Sequence, residues 1–214
     1  LKVIGFLVLA AAELSVPVIA ELRGQTPWHP HHISERYGLF TIIVLGESLL
    51  ASANAIIGAI EEVEAIGPLL WIAVLTLVAT AAMWWIYFWP PHHKQIGAIG
   101  SSLKYGYGHY FIFAAAAAFS AGIEVEIDRM TGHSDLEFVT ASFTVSVPIA
   151  IFLLGVWLIA IRPNADAVVN TAMPIGAALV LLDPILPFPA TLVTLILVAI
   201  VVVLVLRRPV EKQS

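Results

Sequence analysis

Seven stretches of about 20 mostly apolar residues alternate with short polar connections along this chain. About 20 such residues are needed to cross the hydrocarbon core of a bilayer. Lipid offers no partners to backbone polar groups, so spans of this length must be helical. The pattern predicts helices over residues 3–20, 36–59, 68–89, 105–127, 137–161, 168–186 and 190–206. Only the cluster Pro184, Pro187 and Pro189 separates the last two, which are expected as a tight turn or a re-entrant pair. The expected fold class is all-α, a polytopic transmembrane bundle of about seven helices over residues 1–206, with a tail at 207–214. Residues 1–3 read as a cut into a longer protein.

Charge placement tests the alternation of sides. Positive residues favour the cytoplasmic side of a membrane. The first connection and its edges carry Arg23 and Arg36, the third Lys94 and Lys104, the fifth Arg162, and the tail Arg207, Arg208 and Lys212. The even-numbered connections are acidic: Glu61, Glu62 and Glu64, then Glu124, Glu126, Asp128 and Asp135. Of the ten Lys and Arg residues, only Lys2 and Arg129 fall on the acidic side. The expectation is an integral membrane protein with its C-terminus in the cytoplasm. Trp84, Trp85, Tyr87, Phe88 and Trp89 are expected to form an aromatic belt at the inner interface.

Composition supports the same solvent. Of 214 residues, 60% are hydrophobic and 12% charged, against about 25% charged in soluble domains. Mean hydropathy is +0.95. The net charge of −5 matters less than its distribution. Cysteine is absent, which removes disulfides, thiolate nucleophiles and thiolate metal sites. No P-loop, G-x-S-x-G or H-E-x-x-H motif is present. No basic, aromatic-rich stripe suggests nucleic acid as a partner. No catalytic residues or cofactor are assigned; the expected partners are the lipid bilayer and, for a bundle of this kind, a second copy of the chain.

Two carboxylates stand at membrane depth. Glu47 lies eleven residues beyond Arg36, which is about 16 Å of helix. Glu13 lies at a similar depth before Arg23. Ionisable groups there cost about 2.5–3.5 kcal/mol each on insertion scales. Helices joined by a short connection are usually neighbours, so the two carboxyls are expected to face one another or share a cavity, binding a proton or a small cation. Arg36, Ile43, Glu47, Asn54 and Gly58 share one side of a helix at 100° per residue, with Ser48 and Ser52 beside them. A protonated Glu47 that only joins helices by a hydrogen bond is the structural alternative. Pro17, four residues past Glu13, removes a helical hydrogen bond there.

The densest polar cluster is Trp28-His29-Pro30-His31-His32-Ile33-Ser34-Glu35-Arg36. Its members His31, His32 and Glu35 can be read as zinc-type ligands, as a proton relay or gate, or as an interfacial cap. In the last case Ser34 would be the N-cap of the second helix, and His and Arg would meet lipid headgroups. In Tyr105-Gly106-Tyr107-Gly108-His109-Tyr110, His109 either joins a cavity with Glu47 or packs. Asp183, before Pro184, is expected to be a capping or turn group.

The run His31-His32-Ile33-Ser34-Glu35-Arg36-Tyr37-Gly38-Leu39-Phe40-Thr41-Ile42-Ile43-Val44-Leu45-Gly46-Glu47-Ser48 resembles the signature of the bacterial low-temperature-requirement A (LtrA) family. Trp84-Trp85-Ile86-Tyr87-Phe88, Tyr107-Gly108-His109-Tyr110 and Gly122-Ile123-Glu124 resemble later stretches of that family in the same order. The likeness is good over about residues 1–128; beyond that it is mainly hydropathic. It implies a multi-pass inner-membrane protein about twice this length, whose N-terminal half would be a further partner. The motif positions carried over are Glu35, Arg36, Gly46 and Glu47. The family name records a growth requirement in the cold and implies no reaction.

The expected function is a proton- or cation-linked transporter or channel, with Glu47 central and Glu13, Arg36, Glu35, Asn54 and His109 along the pathway. The alternatives are a non-catalytic membrane scaffold tied to stress and an intramembrane metal-dependent enzyme.

Overall fold

The computed structural model describes residues 2–24, 29–60, 66–185 and 190–209. Trp28, Glu61, Glu62, Glu64, Pro187, Pro189 and Lys212, all invoked above, lie outside the described residues. The described residues form α1 (Lys2–Arg23), α2 (Pro30–Ala59), α3 (Ile66–Phe88), α4 (Ile99–Thr131), α5 (Phe138–Val156), α6 (Ala167–Leu182) and α7 (Thr191–Leu206), with no strand among them. The all-α bundle is as expected. Six helices are long and apolar enough to cross a membrane, and α7 is a shorter apolar helix.

Helices α2 to α7 close into a ring, in the order α2, α4, α5, α6, α7, α3 and back to α2, each packing on the next. α3 and α5 also touch across the middle. The hydrophobic core fills this ring and includes Leu69, Met83, Ile86, Phe119, Ile149, Phe152, Leu153, Met173 and Leu197. α1 lies outside it, with its apolar stretch exposed. α6 and α7 are separate helices that meet where Gly176 faces Ile200.

Two helices begin well before the pattern predicts. α2 starts at Pro30, and the N-cap is His29, not Ser34. Proline suits the first helical turn because its missing N–H is not needed there. Ser34 lies inside the helix, and its hydroxyl bonds the His31 carbonyl at 2.9 Å. α4 starts at Ile99, where the Ser101 side chain accepts from the Ala98 N–H at 3.1 Å. α4 ends at Gly132, whose φ of +80° is the left-handed cap glycine favours. α5 unwinds into a π turn at Trp157–Ile161 and a 3₁₀ turn at Arg162–Asn164.

Small residues set the closest approach. A Cβ on Gly122 of α4 would overlap the backbone of Thr144 on α5. The Thr144 hydroxyl reaches back toward the Gly122 carbonyl at 3.4 Å. Membrane helices, lacking a hydrophobic drive to associate, use small residues in this way.

The two ends of the ring differ in chemistry. At one end, His31 of the α2 N-terminus stacks on His93 at 4.1 Å. Trp89 Nε1 there donates to the carbonyls of Leu204 and Arg207, at 2.8 and 3.1 Å. Arg207 reaches Asp166 at 3.4 Å. The connections rich in Lys and Arg therefore gather at this basic end. The opposite, acidic end holds Glu126, Asp183 and the start of α7.

Candidate functional site

α2 carries two faces. Gly38, Thr41, Leu45, Ser48, Ser52, Ile56 and Ala59 are buried against the ring. Ser48 Oγ lies 2.9 Å from the Val44 carbonyl and 3.1 Å from the Ala116 carbonyl of α4, tying the helices together. The opposite face presents Arg36, Ile43, Glu47, Asn54 and Gly58, all exposed. The shared face expected from helical spacing is present, but it turns away from the ring. Glu47 stands close to the midpoint of a 30-residue helix, which is about 45 Å long.

Glu13, on the isolated α1, is exposed as well. His109, in contrast, has no exposed surface. The structure does not gather Glu13, Glu47 and His109 into one cavity. Tyr37, the α2 residue packed on His109 at 4.7 Å, lies about 15 Å along the helix from Glu47.

His109 instead belongs to a closed hydrogen-bonded ring of four residues near the basic end. Its Nδ1 donates to the Tyr105 carbonyl at 2.7 Å. The Tyr105 hydroxyl lies 3.1 Å from His92 Nδ1. His92 Nε2 donates to the Tyr87 carbonyl at 2.6 Å, and the Tyr87 hydroxyl lies 3.0 Å from His109 Nε2. Carbonyls only accept, so the nitrogens that face them carry hydrogen. In neutral rings the other two nitrogens then accept from the tyrosine hydroxyls. All four polar tips are satisfied, as burial requires. The ring joins α3, the 3₁₀ turn His92–Gln95 and α4, and Tyr37 of α2 packs edge-on against Tyr105.

Burial pushes His92 below the ordinary histidine pKa, against the opposing pull of the Tyr87 carbonyl. His93 is also lowered, by burial and then by His31 and Lys94 nearby. Tyr87 was expected in the interfacial belt. Trp84, Trp85 and Phe88 are exposed in that manner, but Tyr87 is fully buried. The signal for this was its register: Thr76, Thr80, Met83 and Tyr87 lie on one buried face of α3.

Two grooves flank this ring. One, of about 290 Å³, is lined by Tyr37, Ile96, Tyr105 and Tyr107. The other, of about 440 Å³, is lined by Glu35, Gly38, Tyr87 and His92. Neither reaches Glu47.

Among the described residues no group of three or more His, Asp and Glu could hold a metal. His32 Nδ1 lies 3.4 Å from Glu35 Oε2, with both side chains exposed. His31 lies one residue back and is taken up by the stack on His93.

Residues 1–206 match the family described as bacterial low temperature requirement A protein (LtrA). The chain belongs to the LtrA family. The match extends through α5, α6 and α7, well past the stretches that carry the resemblance by eye. No curated protein and no solved structure matches the chain. Membership and the six apolar helices make this LtrA chain a multi-pass integral membrane protein of a bacterial membrane family.

Proposed function

We propose that this LtrA protein is a proton- or cation-linked membrane transporter in which Glu47 is the central titrating group. The observation that carries the reading is the polar face of α2, where Arg36, Glu47 and Asn54 stand opposite the packed face. A charged side chain turned to lipid at mid-helix depth costs about 2.5–3.5 kcal/mol. That cost favours a face covered by further protein or lining an aqueous path, where intramembrane carboxylates usually act. In this reading further membrane helices of the same polypeptide close the face. Arg36, near the basic end, tunes Glu47 or guards the entrance, and Asn54 continues the path toward the acidic end. Glu13 is a second carboxylate that α1 could bring to the same path. His109 is a packing residue in this scheme, since its hydrogen bonds are closed within the four-residue ring. The positive-inside rule supports a cytoplasmic basic end and, in this reading, a cytoplasmic C-terminus.

The test is flux in liposomes reconstituted with the full-length protein, driven by a pH gradient or a cation gradient. Glu47→Gln keeps the size and removes the charge. The expected result is loss of flux in the variant with folding intact. Flux equal to wild type removes Glu47 from the mechanism. The closed ring of buried hydrogen bonds favours a second reading, a static membrane scaffold. It prevails if the wild-type protein carries no flux.

A further inference from the structure

The acidic end of the ring contains a polar site distinct from the α2 face. Most buried hydroxyls in this bundle bond a carbonyl one turn back along the chain: Thr41, Ser48, Ser52, Thr80 and Thr194 all do. Thr76, Ser142 and Ser146 do not, and their oxygens are buried without a hydrogen-bond partner. Asp183 Oδ1 is in the same condition, although the residue is only 1% exposed. The other Asp183 oxygen, Oδ2, accepts the Ala190 N–H at 3.2 Å. Ala190 has a φ of +61°, a strained value for a residue with a Cβ.

Asp183 and Ser142 line one small cavity together with Glu126, Val145 and Ala190. It leaves about 20 Å³ for the centre of a water-sized sphere, enough for one water or one bare ion, which need roughly 10–15 Å³. A second cavity of similar size shares Glu126, Val145 and Ala190, and extends to Thr76 and Thr194 in the middle of the ring.

Charge narrows the occupant. Glu126 is held by Arg129 through two contacts, Nη2 to Oε1 at 2.6 Å and Nε to Oε2 at 3.3 Å. Arg129 itself sits over the Phe138 ring at 5.1 Å. The Glu126–Arg129 pair is neutral, so an ionised Asp183 would carry the one unbalanced negative charge in this cavity, beside the Ser142 hydroxyl. Hard oxygen donors with no imidazole and no thiolate suit an alkali or alkaline-earth cation. A monovalent ion balances the single charge, whereas a divalent ion leaves a buried excess. A bound cation would offset the cost that burial sets on an ionised carboxylate. The acidic residues Glu124, Asp128 and Asp135 nearby in sequence raise the local concentration of cations at this end.

We propose that Asp183 and Ser142 form a binding site for one sodium ion in this cavity. This does not rest on the transport reading at Glu47.

The experiment is equilibrium binding of radioactive Na⁺ to the purified full-length protein, with choline replacing sodium at constant ionic strength. The wild type is expected to bind one ion saturably. Asp183→Asn, which keeps an acceptor for the Ala190 N–H, is expected to lose binding. Ser142→Ala is expected to bind about tenfold more weakly. No saturable binding in the wild type overturns the proposal, whether water or a proton fills the cavity. Binding that survives Asp183→Asn overturns it as well. If Asp183→Asn does not fold, unchanged affinity in Ser142→Ala overturns it and the tenfold loss supports it. Sodium binding without any wild-type flux sinks only the transport reading, and wild-type flux without saturable sodium binding sinks only this one.

Discussion

The Tyr87 hydroxyl lies 3.0 Å from Nε2 of His109, joining α3 to α4 inside the bundle. Each residue is committed on its other side, since His109 Nδ1 faces the Tyr105 carbonyl and the Tyr87 carbonyl faces His92. The two imidazoles must therefore be opposite tautomers, His109 with its hydrogen on Nδ1 and His92 with its hydrogen on Nε2. Nitrogen-15 NMR of histidine-labelled protein at neutral pH is expected to show one buried histidine of each kind. Tyr87→Phe would leave His109 Nε2 without its donor, at a cost of about 1–3 kcal/mol in stability. Two identical tautomers would break the ring as drawn.

The same ring sets a pH dependence. Burial lowers the His92 pKa in the folded protein. Below about pH 6.5, the ordinary histidine value, the unfolded chain then binds more protons at this position than the folded one. Stability therefore rises with pH through that region and levels off above it. The contribution is present above the unfolded pKa and is lost as pH falls toward the lower, folded one. Thermal unfolding in detergent is expected to show a melting temperature that drops on acidification below about pH 6.5. His92→Gln, whose amide can still donate to the Tyr87 carbonyl, is expected to flatten that slope. An equally steep slope in the variant would assign it to other groups, with His93 the nearest candidate.

Much of this architecture can be read from the apolar runs, because hydrocarbon thickness fixes how long each must be. The extents of α2 and α4 cannot, because their first turns project beyond the spans and carry residues that read as loop: His31, His32 and Glu35 in one, Ser101, Ser102 and Lys104 in the other. Helical spacing correctly put Arg36, Glu47 and Asn54 on one face. It held no information on what that face meets, which depends on the packing of the other helices. Tyr87 looked interfacial because its neighbours Trp84, Trp85 and Phe88 are. The Asp183 cavity was invisible because its lining comes from elements far apart in sequence, Glu126 of α4, Ser142 and Val145 of α5, and Asp183 and Ala190 beyond α6, and serine or threonine in an apolar span usually bonds its own backbone.

Gly122 tests a close approach of α4 to the backbone of α5. Any Cβ there meets the Thr144 carbonyl and the Val145 nitrogen, which are backbone atoms within a helix and cannot rotate away. Gly122→Ala should push α4 and α5 apart and cost about 1–3 kcal/mol, the usual range for overpacking. Gly46→Ala is the control, since a Cβ at Gly46 meets nothing within 4 Å. The check is the melting temperature of both variants, with Gly122→Ala lowered and Gly46→Ala close to wild type. Equal melting temperatures would mean that α4 and α5 do not approach this closely.

These 214 residues contain no cysteine, so a thiol introduced among them reports alone once any cysteine elsewhere in the full-length protein is replaced. Lys94 is exposed in the connection between α3 and α4 at the basic end, and Asp135 is exposed in the connection between α4 and α5. Since α4 separates them, they must lie on opposite sides if α4 spans the membrane. The positive-inside rule assigns Lys94 to the cytoplasm and Asp135 to the opposite face. In intact cells stripped of the outer membrane, a membrane-impermeant maleimide should label Asp135→Cys and leave Lys94→Cys unlabelled until the membrane is opened. The reverse pattern would put the C-terminus outside. Immediate labelling of both, in vesicles shown to be sealed, would mean that α4 does not cross, and the alternation of sides would fail with it.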